Sequence, residues 1–103
     1  MIINDFNEAF QKVDLIVGPT SPCTALPIGS SKDEAMFGEL QDILVEASSI
    51  SGLPGINVCS GFSKENLPTG IQIVGPHFSE QLILQTATAY EKATNWSKNK
   101  PSI

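Results

Sequence analysis

The side chains of this 103-residue chain that could do chemistry are few. Its only histidine is His77, and its two cysteines are Cys23 and Cys59. A Cys–His hydrolase would need His77 to meet one of those thiols in space, and nothing in their spacing brings them together. Ser-Lys neighbours occur at Ser31-Lys32, Ser63-Lys64 and Ser97-Lys98, in polar turns or near the carboxyl end. Adjacent residues rarely point the same way, so these read as solvated surface and not as nucleophile and base. There is no phosphate-binding glycine loop, no dinucleotide fingerprint and no carboxylate-rich metal motif. Asp42 stands out by position. On an ideal helix it lies nearly opposite the stripe of Leu40, Ile43, Leu44 and Ala47, so periodicity alone makes it a solvated acid on an outer face.

Composition narrows the classes further. One small domain or less fits in 103 residues. Hydrophobic residues make up 41%, which argues against disorder, while charged residues are only 17% against about 25% in typical domains. A small free-standing domain normally carries more charge, so part of the outer face is expected to be covered by something else. Six basic against eleven acidic residues give a net charge of −5 with no basic cluster, which excludes direct binding to nucleic acid. No apolar run approaches a membrane span of about 18 residues, and no basic segment precedes an apolar stretch at the amino end. Two cysteines without metal or disulfide spacing suit a reducing compartment, the cytoplasm or an organelle matrix.

The elements that would hold these residues alternate. Ile2, Ile3, Phe6, Phe10 and Val13 form the apolar face of an opening helix. Asp14 to Gly18 is a continuous apolar run, expected as a strand covered on both faces, as in a parallel sheet with helices packed on it. A loop with three prolines follows from Pro19 to Gly29. Loops leaving the carboxyl end of a buried strand are favoured ligand sites. Ser31 and Glu34 have capping-box spacing ahead of a helix through Met36, Leu40, Ile43, Leu44, Ala47 and Ile50. Gly52 and Pro54 should end that helix. Strands are expected at Ile56–Val58 and Ile71–Val74, joined by a polar connection from Gly61 to Gly70. The last helix should run from Glu80 to about Ala93, with Ser79 as N-cap and Phe78 stapled on Ile83. From about residue 97 the chain is expected to fray. The fold class is therefore α/β, in the order α-β-α-β-β-α, and three short strands read best as part of a larger sheet.

Taken together, the motifs resemble a known family. Asp-Leu-Ile-Val-Gly-Pro-Thr-Ser-Pro (Asp14 to Pro22) precedes a helix ending Ser-Gly-Leu-Pro-Gly (Ser51 to Gly55). Ile-Asn-Val (Ile56 to Val58) and Leu-Pro-Thr-Gly-Ile-Gln-Ile-Val-Gly (Leu67 to Gly75) follow, then an amphipathic helix. The order and spacing are similar to the carboxyl-terminal part of amidase-signature enzymes, and within them to the glutamine-using A subunits of tRNA-dependent amidotransferases. Three departures are visible: Ala47 where that family often has Pro, Val58-Cys59 where it has Val-Pro, and Asn66 where Gly is common.

The resemblance implies residues 1–103 as the carboxyl-terminal portion of one amidase domain, a piece of its mixed sheet covered by helices. Family chemistry uses a Ser nucleophile, a bridging Ser and a Lys base in a Gly/Ser-rich segment, which no stretch here matches. No serine of this chain inherits a catalytic role, and the chain alone is expected to be inert. What it implies for these residues is one substrate contact. Counting back from Gly52, Asp42 falls on the acid that receives the α-amino group of the substrate glutamine. No cofactor is implied for this chain; ATP and magnesium belong to the partner subunit. The implied partners are the rest of the amidase domain and the amidotransferase B and C subunits, with glutamine as substrate. Two alternatives stand beside this: a piece of a general small-amide hydrolase of the same superfamily, and a non-catalytic interaction or structural remnant.

Overall fold

The computed structural model describes residues 2–29 and 41–102. Among them three strands, β1 (Ile16–Pro19), β2 (Gly55–Phe62) and β3 (Pro68–Val74), form one sheet in the order β1-β3-β2. The two outer strands both run antiparallel to β3. The expected α/β order holds: α1 (Ile2–Phe10) precedes β1, α2 (Ile43–Ile50) precedes β2, and α3 (Glu80–Thr94) follows β3. The parallel reading of the Asp14–Gly18 run does not hold. Its strand pairs antiparallel with β3, and Val17 is 57% exposed among the described residues. A short apolar run reads alike in either pairing.

Side-chain alternation gives the sheet two faces. On one, Ile56 and Val58 of β2 and Ile71 and Ile73 of β3 meet α3, whose Ile83 and Ala87 are buried four residues apart. This is the core, and Ile73 at 2% exposure is its most enclosed large side chain. On the opposite face Phe6 of α1 and Leu44, Ala47 and Ser48 of α2 surround a small cavity of about 120 Å³ over Ile16, Gly18, Gln72 and Val74. Neither α1 nor α2 contains a buried residue. One face is packed; the other is loosely covered.

Local chemistry sets the element ends. Gly52 adopts φ +66, Leu53 N–H donates to Ser48 O at 3.0 Å and Gly52 N–H donates to Ser49 O at 3.1 Å. That pair of bonds is a Schellman motif, and Gly52 ends α2 as expected. With Ala47 in place of Pro, α2 runs through that position without a break and Ser51 N–H reaches Ala47 O. The Ser31–Glu34 capping box, Met36 and Leu40 lie outside the described residues. The strands of the hairpin extend further than their apolar runs. The turn shrinks to 63–67, where the Ser63 hydroxyl accepts from Glu65 and Leu67 N–H and Asn66 takes φ 60. A register shift between Cys59 and Gly61 marks a bulge in β2.

Ser79 caps α3, but with its backbone only: its hydroxyl donates to Pro76 O at 2.6 Å and makes no side-chain cap bond. The expected staple is absent. Phe78 sits at φ 64 and is 95% exposed, because the left-handed backbone turns its ring away from Ile83. At the other end, Trp96–Lys98 form a 3-10 turn, and the Trp96 indole meets Phe62 edge-on at 6.2 Å.

Candidate functional site

The cleft of interest forms where β1 runs out. After Pro19 the chain turns away from the sheet, and Thr20 N–H still donates to Gly70 O at 3.3 Å. The following loop stands off the sheet and leaves an open cleft of about 780 Å³ between itself, Gln41, and the bulged ends of β2 and β3. Three pairs of polar groups shape it. Thr20 Oγ1 donates to Asn57 Oδ1, Ser60 and Thr69 hydroxyls lie 3.0 Å apart, and Gln41 Nε2 reaches Cys23 Sγ at 3.8 Å. A Cβ on Gly70 would overlap Asn57 Oδ1, so glycine there makes room for the Thr20–Asn57 contact.

Among the described residues no charged side chain lines this cleft. Its hydroxyls and amides can hydrogen-bond a neutral polar group, but they cannot balance an ion. Asp42 is next in sequence to the lining residue Gln41 and is not itself among the lining residues. Asp42 occupies the N-cap position of α2 and is exposed. Its carbonyl accepts from Val45 N–H at 2.9 Å and Glu46 N–H at 3.1 Å, while its carboxylate makes no cap bond. The carboxylate is therefore not used up in capping.

The other candidate residues do not converge. Cys59 pairs with Gly70, four residues along β3 from Val74, and His77 lies beyond Val74. At the usual strand rise that is about 13 Å of sheet between thiol and turn. Cys23 lies in the loop past β1, at the Gly70 end as well. His77 instead neighbours Gly52 and Phe78. The Ser63 hydroxyl is engaged in its own turn. Ser31-Lys32 lies outside the described residues. Among the described residues no three His, Cys, Asp or Glu side chains converge to hold a metal ion, and no helix is long and apolar enough to cross a membrane.

Sequence reading missed Gln72. It stands in β3 between Ile71 and Ile73, flanked across the sheet by Gly18 on β1 and Asn57 on β2. Its Nε2 donates to Pro19 O at 3.0 Å and to Leu44 O at 2.7 Å. A polar residue inside an otherwise β-branched run was the available signal, and Asn57 inside Ile-Asn-Val was another.

Comparison with known proteins decides the family. The sequence profile of the Amidase family matches residues 1–84, which is most of the chain. The chain belongs to the Amidase family. It is 46% identical over all 103 residues to the A subunit of glutamyl-tRNA(Gln) amidotransferase from Thermodesulfovibrio yellowstonii, and 43% identical to that of Shouchella clausii. In each case this amidase-family chain spans 21% of the relative's length. Among solved structures, the corresponding glutamyl-tRNA(Gln) amidotransferase protein of Thermotoga maritima matches with a TM-score of 0.80 at 40% identity, over 87% of this chain and 20% of that one. A 6-aminohexanoate cyclic dimer hydrolase matches with a TM-score of 0.86 at 26% identity, over 97% of this chain and 23% of that one.

Proposed function

We propose that these residues are the carboxyl-terminal portion of a single amidase domain, in the glutaminase subunit of a tRNA-dependent amidotransferase. The observation that carries this is similarity along all 103 residues, at 46% identity, to an amidotransferase protein of which the chain spans only a fifth. In this reading the nucleophile, bridging serine and lysine lie elsewhere in the domain, and the 103 residues alone turn over no amide. Exposed apolar side chains, such as Val17 on the outer strand β1, Ile43 and Ile50 of α2, and Leu84 of α3, pack against the rest of the domain.

Asp42 supplies the one contact this segment makes with substrate. Its uncapped carboxylate receives the α-ammonium of glutamine, a charge-assisted pair that matches acceptor to donor. The neutral cleft lined by the preceding residue, Gln41, suits the uncharged parts of a small amide substrate. Ammonia released by the domain passes to partner subunits of the B and C type. There ATP and magnesium activate the glutamyl or aspartyl group on tRNA. An acidic chain without a basic patch leaves tRNA to those partners, and the setting is the cytoplasm or an organelle matrix.

A small-amide hydrolase is the second reading, favoured by the match to the cyclic dimer hydrolase. The test is made on the full-length protein to which these residues belong, co-purified with its partners. Glutamine hydrolysis coupled to ATP-dependent amide formation on glutamyl-tRNA(Gln) or aspartyl-tRNA(Asn) is expected. Turnover of simple amides with no preference for glutamine overturns the proposal and favours the hydrolase.

A further inference from the structure

We infer that Gln72 is a positioning residue for Asp42: its side-chain amide clamps the end of β1 to the first turn of α2. The inference rests on Asp42 as the ammonium-binding acid and adds what holds that acid in place. Gln72 belongs to the central strand, paired to a neighbour on both sides, which makes its backbone a firm anchor. Its two bonds end on carbonyls, Pro19 O and Leu44 O, so the NH2 end of the amide must face them and both its hydrogens are used. Pro19 is the residue before Thr20 in the cleft wall, and Leu44 is two residues after Asp42. One side chain thus ties both sides of the candidate site to one strand.

Among the described residues the other side-chain tie at that end of α2 is the longer Gln41 Nε2–Cys23 Sγ contact at 3.8 Å. The helix has no buried residue, Ile43 is 52% exposed, and the Asp42 side chain makes no cap bond. The Gln72–Leu44 bond at 2.7 Å is the shorter of the two and crosses from sheet to helix. Without it, among the described residues, the first turn of α2 would rest on the Gln41–Cys23 contact and half-buried contacts around a cavity. A displacement of about 1 Å at a substrate-contacting group is enough to cost up to roughly a hundredfold in rate.

The test uses the full-length enzyme with its partner subunits. Variants are Gln72→Met, which keeps length and removes the donors, and Gln72→Glu, which keeps shape but cannot donate to both carbonyls. Each is combined with Asp42→Asn. The readout is the ratio of kcat/KM for glutamine to kcat/KM for glutaramate, its analogue without the α-amino group. Both Gln72 variants should lower that ratio about tenfold, mainly by raising KM for glutamine, with glutaramate turnover retained. In the Asp42→Asn background the same changes should move the ratio less than about twofold, because the group being positioned is gone. If Asp42→Asn alone lowers the ratio while neither Gln72 variant does, the positioning role is wrong and the ammonium reading stands. If Asp42→Asn leaves the ratio at its wild-type value, the ammonium reading fails and the positioning role falls with it. Equal loss on both substrates, or failure of both variants to fold, assigns Gln72 to support of the fold and overturns the proposal.

Discussion

Gly75 is buried at the junction of β3 and α3, and Gly75→Ala tests how tightly that junction is packed. An added Cβ would overlap Ser79 Oγ and stand 3.1 Å from both Ile83 Cδ1 and Leu15 Cδ2. The hydroxyl can rotate away, but only by giving up its 2.6 Å bond to Pro76 O, a loss of about 1 kcal/mol. Ile83 is 3% exposed and has no free space to retreat into, so overpacking adds about 1–3 kcal/mol. The sum is about 2–4 kcal/mol. Hydrogen exchange of the full-length protein, followed on peptides covering β3 and α3, reads this locally. Amide exchange there should accelerate by roughly thirtyfold to several hundredfold if opening and closing are fast. Ser79→Ala removes the overlapping oxygen, so Gly75→Ala should cost about 1 kcal/mol less in that background. Unchanged protection in Gly75→Ala, or no difference between the two backgrounds, would refute the packing described here.

Three further substitutions give graded outcomes. Gly70→Ala should cost about 1 kcal/mol in thermal or denaturant stability by displacing Asn57 from Thr20, and should cost almost nothing in an Asn57→Ala background. Gly52→Ala should destabilise by about 1–2 kcal/mol from backbone strain at φ +66, since the nearest side-chain atom to its Cβ is His77 Cε1 at 3.8 Å. Gly52→Asn should cost less. Ser51 Oγ is buried with no partner among the described residues, so Ser51→Ala should leave stability unchanged or raise it by up to about 1 kcal/mol; a loss above that would reveal a partner for the hydroxyl.

Much of the fold was legible because its signals are local. The apolar spacing of α1, the Gly-Leu-Pro end of α2 and the Ser79 start of α3 each depend on a few neighbouring residues, and each element stands where that spacing puts it. Failures came where distant chain segments decide. Strand direction for Asp14–Gly18 depends on its partner β3, 50 and more residues later, and apolar content carries no direction. The hairpin strands outrun their apolar stretches because cross-strand bonds extend β2 and β3 into Gly- and Ser-containing sequence at the bulge. Phe78 had the right type and position for a staple, but its left-handed backbone overrides both. Of the site, Asp42 enters only as what the family resemblance implies, since periodicity alone reads it as a solvated acid. Gln72 and Asn57 do not stand out, because they become neighbours only when the strands pair.

Asp42 itself offers the most direct measurement. In the full-length enzyme Asp42→Asn keeps the side chain's shape and removes its charge, and the ratio of kcat/KM for glutamine to that for glutaramate is compared with wild type. A charge-assisted contact is worth about 1.5–3 kcal/mol, so the ratio should fall by roughly ten- to a hundredfold with glutaramate turnover nearly unchanged. An exposed acid with no substrate contact would shift stability by no more than about 0.5 kcal/mol and leave the ratio where it was. A constant ratio would contradict Asp42 as the ammonium ligand and with it the assignment of this chain to a glutamine-using amidase.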